Sequence, residues 1–261
     1  MHGTYIGNNK MLVKLAFNAM LTISSNDYSL MPILVTSGAF EAPLTKYFIK
    51  HVKPGNVVVD VGTNVGYFTL LSAKLVGTSG KVIGYEANPE MYSFAQDNIA
   101  MNWLTDQVTL VNKAIYSENR QLQFQTSERF HGYSSINERP TDELVRDQFT
   151  CIEVEAVTLD SELEAIDRID LLKIDIEGGE YQAFLGAIDS IKSKKIRKIS
   201  FEWNKPMLGG EAEPFIYLLS DILNVHGGKL FLLNAEGDPT PATLKEITAV
   251  DFYPFVLIEF N

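Results

Sequence analysis

The residues best placed to do chemistry begin at Asp60. It sits near the end of the β-branched run Val57-Val58-Val59-Asp60-Val61, and Gly62 and Gly66 follow it in a D-x-G-x-x-x-G spacing. An apolar run, a glycine turn and a helical pattern in that order describe a buried strand feeding a helix at a nucleotide-type crevice. The spacing is not the G-x-G-x-x-G of dinucleotide enzymes, and the Lys-Ser/Thr pair that a triphosphate loop needs is missing. A carboxylate at this strand end repels pyrophosphate and suits a cofactor carrying amine and sulfonium cations. The glycines let backbone approach the ligand closely. These features point to S-adenosylmethionine, with Asp60, Gly62, Asn64 and Gly66 at its methionine end and Phe68 and Thr69 packing below.

The next apolar run, Lys81 to Tyr85, ends at Glu86, twenty-six residues after Asp60. A carboxylate there can accept both ribose hydroxyls. Ala87-Asn88-Pro89 then opens a helix with proline in its first turn, and Asn88 could hydrogen-bond beside the ribose. Asn112, just past a third strand, faces either the adenine edge or its own strand end. A second dense group is Lys173-Ile174-Asp175-Ile176-Glu177-Gly178-Gly179-Glu180. Its three carboxylates repel one another, so a cation belongs nearby: Lys173, the cofactor or a metal. Acidic residues in a helix's first turn account for Glu180 on dipole grounds but explain Asp175 less well.

Strand patterns at 57–62, 81–86, 108–112, 170–175, 196–202, 229–234 and 252–260 alternate with helical ones at 66–76, 90–101, 179–190 and 212–225. That order predicts an α/β, doubly wound and mostly parallel sheet. No helix is evident between the last two strands, which therefore read as an antiparallel hairpin at one edge. The whole chain, 1–261, reads as a single domain. Residues 1–53 form an N-terminal cap, and 116–160 an inserted segment on the substrate side, where long loops carry specificity. Glu41, in the cap, reads either as a helix-start acid or as a partner for the cofactor's amino group.

The 261 residues, 46% hydrophobic, suffice for a full core. A net charge of −11 argues against a nucleic-acid partner. The one basic run, Lys192 to Lys198, reads as a solvated helix end. Cys151 is the single cysteine, which excludes an internal disulfide; it reads as a packed strand residue. No leader and no membrane-length apolar run is evident, giving a soluble, cytoplasmic expectation. Oligomeric state stays open, a dimer included.

These pieces resemble the FkbM family of S-adenosylmethionine-dependent methyltransferases. The matching segments are Glu41 within Gly38–Pro43, Asp60–Thr69, Glu86–Pro89, Asn112–Ile115, Thr158–Asp160 and the Lys173–Glu180 box, in the family's order over about 38–203. Thr63 and Ala87 depart mildly from its pattern. The resemblance implies a class I methyltransferase fold and O-methylation, often of sugar hydroxyls in glycans or glycosylated natural products.

A sugar hydroxyl is a poor nucleophile near neutral pH, so a general base helps. The candidates are Asp175, Glu202, Glu177 and His131. His131 and Tyr133, with Glu177 and Glu180, are the expected acceptor contacts; Tyr181 and Trp203 are further candidate ring walls or ordinary packing. Asp175 and Glu202 could also hold Mg²⁺, though no spacing requires a metal. Transfer to nitrogen or a carboxylate, and a non-catalytic scaffold of the same fold, are the competing readings.

Overall fold

The structure is a computed structural model that describes residues 2–127 and 149–260. The chain opens with strands β1 (Gly3–Gly7), β2 (Lys10–Lys14) and β3 (Met20–Ser24), then helices α1 (Met31–Ser37) and α2 (Ala42–His51). Next come β4 (Val57–Val61), α3 (Tyr67–Val76), β5 (Lys81–Tyr85), α4 (Pro89–Met101) and β6 (Val108–Val111). A small ribbon follows: β7 (Ala114–Ile115), β8 (Arg120–Ser127) and β9 (Phe149–Val157), then α5 (Leu159–Glu162). The chain returns through β10 (Leu171–Ile174), α6 (Glu180–Leu185), α7 (Ile188–Lys192), β11 (Lys198–Asn204), α8 (Lys205–Leu208) and α9 (Ala212–Asn224). It finishes with β12 (Gly228–Leu233), β13 (Pro239–Pro241), α10 (Leu244–Thr248) and β14 (Phe252–Phe260).

The main sheet runs β13-β12-β14-β11-β10-β4-β5-β6. Strands β6, β5, β4, β10 and β11 are parallel, and β14 lies antiparallel between β11 and β12. This is the class I methyltransferase architecture. Val58 packs into one core with Phe48, Phe68 and Leu70, while Val59 and Val61 join another with Phe184, Phe201 and Phe215. Both faces of β4 are thus covered, which is why its sequence is almost continuously apolar. The chain moves outward from β4 through β5 to β6, then crosses back to β10 on the other side of β4. That reversal opens a crevice at the carboxyl ends of β4 and β10.

Three expectations need adjusting. The last long strands do pair antiparallel, but β14 lies inside the sheet, and the outer edge is β12 with the short β13. Between them stands α10, started by a capping box in which Thr243 and Glu246 satisfy each other's backbone. The helix expected over 179–190 breaks at Gly186, where a Cβ would lie 2.0 Å from the Tyr116 carbonyl oxygen. Cys151 does lie in a strand, but it is exposed, because β9 turns that side to solvent. Among the described residues no helix is long and apolar enough to cross a membrane.

The N-terminal segment is a three-stranded antiparallel sheet followed by two helices. Asn98 of α4 and Asn102, which caps its C-terminus, attach it to the main fold. Asn98 Oδ1 accepts from Thr22 N–H at 2.7 Å and from Thr22 Oγ1 at 2.8 Å. Its Nδ2 donates to the carbonyls of Thr22, at 2.9 Å, and Val65, at 2.8 Å. Asn102 pairs with both backbone groups of Met20 in the same manner. The register is geometric: four helical residues rise about 6 Å and two strand residues about 6.8 Å, so i,i+4 amides meet alternate strand residues. Asn98→Leu strands these buried groups and should destabilise the protein by about 2–4 kcal/mol in urea unfolding. An unchanged midpoint would show that the staple contributes nothing.

Candidate active site

Asp60 is buried inside β4, and its Oδ2 accepts from Thr69 Oγ1 at 2.6 Å. Its Oδ1 lies 3.5 Å from Lys173 Nζ, on the neighbouring strand position of β10. Gly62 follows with φ of +82°, and a Cβ there would lie 1.9 Å from the Asp175 carbonyl oxygen. The turns after β4 and β10 therefore touch backbone to backbone, which no side chain at position 62 permits. Asn64 donates its backbone N–H to Glu86 Oε2 at 2.7 Å, and Asn88 N–H donates to Glu86 Oε1 at 2.8 Å. Each Glu86 oxygen is fixed by one amide and retains a lone pair. Burial pushes the Glu86 carboxyl up to about 7, against those two donors.

Asn88 and Asn112 are occupied locally. The Asn88 side chain caps α4 by accepting from Glu90 N–H, and Asn112 Nδ2 donates to the carbonyls of Glu86 and Ala87 at 2.8 and 3.2 Å. The strand-end reading of Asn112 thus describes its amide. Gly66, φ +94°, precedes α3, where a Cβ would meet Ala95 at an ordinary 3.5 Å.

The cleft has two lobes that meet at Gly62, Asn64, Asp175 and Glu177. One, of about 590 Å³, is mainly apolar, walled by Tyr85, Ala87, Ile115, Phe124 and Ile176 with Glu86 at its side. Phe124 belongs to β8, so the described part of the insertion covers this lobe and contributes nothing to the other. Lys113, at its rim, ties the ribbon down through Glu155 at 3.0 Å and Glu162 of α5 at 3.2 Å. Sequence reading assigned neither residue a role.

The second lobe, of about 600 Å³, brings together Glu41, Lys173, Asp175, Glu177 and Glu202 beside Phe40, Tyr67 and Phe68. Lys173 Nζ lies 3.1 Å from Asp175 Oδ2 and 5.2 Å from the Phe68 ring centre. Burial opposes its charge, but Asp175, Asp60 and Glu41 outweigh that and hold the pKa above that of an ordinary lysine. One cation does not balance the carboxylates. Burial and then Asp175 push Glu41 up to about 8, and burial with Asp175, Glu177 and Glu180 pushes Glu202 up to about 10. Glu41 stands before the first turn of α2 yet makes no capping hydrogen bond, and its Oε2 is buried with no hydrogen-bond partner among the described residues.

Glu41, Asn64 and Glu177 all have left-handed backbone, with φ of 43°, 51° and 53°. Such conformations in non-glycine residues cost roughly 1–2 kcal/mol each and cluster where function requires a fixed geometry. Three of the eight such non-glycine residues among those described border this one cleft. Glu180 lies outside both lobes: it is fully buried, and its Oε1 accepts from Ile176 N–H at 3.2 Å, bracing the Asp175–Glu177 turn from below. Trp203 is buried with its indole donating to the Val250 carbonyl, and Tyr181 packs against the Phe215 side of the core, so neither walls the cleft. His131 and Tyr133 lie outside the described residues.

The family model for the methyltransferase FkbM domain matches residues 60–234, two-thirds of the sequence. The chain belongs to the FkbM methyltransferase family. It is also similar to protein-L-isoaspartate O-methyltransferase 1 of Arabidopsis thaliana, 48% identical over 50 residues, which are 19% of this chain and 22% of that protein. A 49-residue stretch is 45% identical to the arsenite methyltransferase of Halobacterium salinarum, covering 19% and 12% of the two chains. The chain thus spans less than a quarter of these relatives' length. A Streptococcus mutans protein solved in complex with SAH aligns over 85% of this chain and 99% of its own, at 10% identity and a TM-score of 0.45.

The FkbM match opens at Asp60, so the apolar lobe lies within it while Glu41 and Phe40 come from the preceding segment. S-adenosylmethionine is the cofactor of this methyltransferase domain. The residues fit it: an apolar lobe beside a twice-anchored carboxylate, then a lobe with surplus negative charge and an orphaned Glu41 oxygen. Among the described residues no three His, Cys, Asp or Glu side chains are grouped to hold a metal ion.

Proposed function

We propose that this FkbM domain methylates a hydroxyl oxygen, most readily that of a sugar in a glycan or glycosylated natural product. Bound in the cleft, S-adenosylmethionine supplies a methyl group activated by its sulfonium. On this reading Glu86 takes the ribose hydroxyls, while Ala87, Ile115, Ile176 and Phe124 enclose the adenine. Glu41 and Asp60 face the cationic amino-acid end with Asn64, and Gly62 and Gly66 keep the backbone close. Phe68 and Thr69 hold Lys173 and Asp60 in place from behind. An exposed, unpaired Cys151 suits a reducing cytoplasm. Phe124→Ala should weaken binding of S-adenosylhomocysteine by about tenfold, the value of one aromatic wall, in calorimetry. Full affinity in that variant would remove the ribbon from the cofactor site.

The observation that carries the acceptor is Glu202. It lies two residues before the end of β11, lines the charged lobe next to Asp175, and has its carboxyl raised to about 10 by burial and neighbouring acids. A cation held beside it draws that value toward neutrality, where a carboxylate of raised pKa is an effective base. Glu202, or Asp175 beside it, accepts the hydroxyl proton and holds the acceptor oxygen in line. The same negative lobe repels a carboxylate acceptor. It tolerates a neutral amine, which is already nucleophilic and needs only orientation, so transfer to nitrogen is the second reading. Glu202→Gln decides between them. For a hydroxyl acceptor it lowers kcat about 100-fold or more with little change in S-adenosylmethionine affinity. For an amine the loss is small and the pH–rate profile keeps its shape.

A further inference from the structure

The basic run Lys192–Lys198, the one exception in an acidic sequence, has no role in the methyl-transfer site. Two of its residues, Arg197 and Lys198, line a second cavity of about 550 Å³ with His51, Lys53 and Asn56, over a floor that includes Tyr47 and Leu171. This cavity lies at the amino ends of β4, β10 and β11, whereas the cofactor cleft lies at their carboxyl ends. A five-residue strand, roughly 17 Å long, separates them.

We propose that this cavity is a binding site for a phosphate- or sulfate-type oxyanion, separate from the methyl-transfer cleft. Among the described residues the side chains of Lys53 and Arg197 form no ion pair or hydrogen bond. Asn56 accepts from Lys53 N–H through Oδ1 and keeps its amide donors. Asp170 also lines the cavity, but it is already engaged, as is Glu259 nearby. Asp170 pairs with Arg168 at 2.8 Å and accepts from Val57 N–H. Glu259 pairs with Lys198 at 3.2 Å and accepts from Tyr47 Oη at 3.4 Å. An arginine fork, a lysine and an amide converging on one cavity form the donor set that tetrahedral oxyanions require.

His51 reports the local field. Its ring stacks on Tyr47 at 4.4 Å, and its pKa is lowered by burial first and then by Lys198, Lys53 and Lys50, with only Glu259 opposing. With Lys53 and Arg197 unpaired among the described residues, the cavity is electropositive despite the net charge of −11. An anion seated there opposes the shift.

The test is a histidine NMR titration of the intact protein with sodium sulfate, which stays dianionic throughout, against sodium chloride at matched ionic strength. Sulfate should move the His51 signals saturably and raise its titration midpoint by about half a pH unit or more, leaving His2 and His226 unmoved. Lys53→Ala/Arg197→Ala, which alters two exposed side chains, should weaken that response at least about tenfold. Equal responses to chloride, equal shifts at all histidines, or an undiminished response in the double variant would each overturn the proposal. Saturation with S-adenosylhomocysteine should leave the sulfate affinity unchanged; direct competition would merge this cavity with the cleft and overturn it too.

Discussion

Gly62→Ala abolishes measurable S-adenosylhomocysteine binding and lowers stability by about 3 kcal/mol, combining left-handed backbone strain with overpacking. The added Cβ would lie 1.9 Å from the Asp175 carbonyl oxygen and 3.0 Å from both its carbon and Ile176 Cγ2. A backbone carbonyl cannot swing aside as a side chain can. The turn after β10 must move bodily, although Asp175 N–H is bound to the Val61 carbonyl at 3.1 Å. Any such shift carries Asp175 and Glu177, which border both lobes. Gly66→Ala is the matched control. Its φ is equally positive, at +94°, but its Cβ meets Ala95 at 3.5 Å, so it bears the backbone strain without the collision. Calorimetry and thermal melts on both variants separate the two costs. If Gly62→Ala binds as tightly as Gly66→Ala, the contact between the turns is not what shapes the cleft.

That contact also marks where sequence reasoning reached its limit. Asp60, Gly62, Asn64, Gly66 and Glu86 were legible because each sits at a fixed offset from an apolar strand, and the structure gathers them at the ends of β4 and β5. The Asp175–Glu177 turn was legible for the same reason. The partner of Gly62, however, lies more than a hundred residues away, and no local pattern reports a carbonyl approaching from another strand. Phe124 is a similar case, since no pattern near it in the sequence reports the lobe that it closes. Glu180 shows the reverse error: an acid placed by type among acceptor contacts is turned under the chain, because a buried backbone N–H at Ile176 needs an acceptor. Helix α10 escaped notice because five residues show no periodicity, although Thr243 and Glu246 carried a capping-box spacing.

Raising the pH from 5 to 9 should destabilise the cofactor-free protein by at least about 3 kcal/mol, and S-adenosylmethionine should offset the loss. The acids responsible are Glu86 and Glu180, pushed up to about 7, Glu41 to about 8 and Glu202 to about 10, all principally by burial. A carboxyl whose folded pKa exceeds its unfolded value binds its proton more tightly in the native state. The resulting stability is complete below about pH 4.5 and drains away as the pH climbs through the folded values. His51, lowered by burial, works in the opposite direction, but it is one partly exposed group against four buried acids. A ligand cation in the charged lobe favours the ionised forms. Its affinity therefore rises over the window in which the free protein weakens, and the stability curve of the complex flattens. Glu41→Gln is the decisive variant, because on the proposed reading its orphaned oxygen gains a partner when the cofactor binds. In that variant the free protein loses less stability between pH 6 and 9, and S-adenosylmethionine affinity changes less with pH. Urea unfolding across this range, with and without the cofactor, reads both effects. A free-protein midpoint that holds or rises toward pH 9 would mean that the acids are already ionised, and the charged lobe would then lose its claim to be poised for a cation.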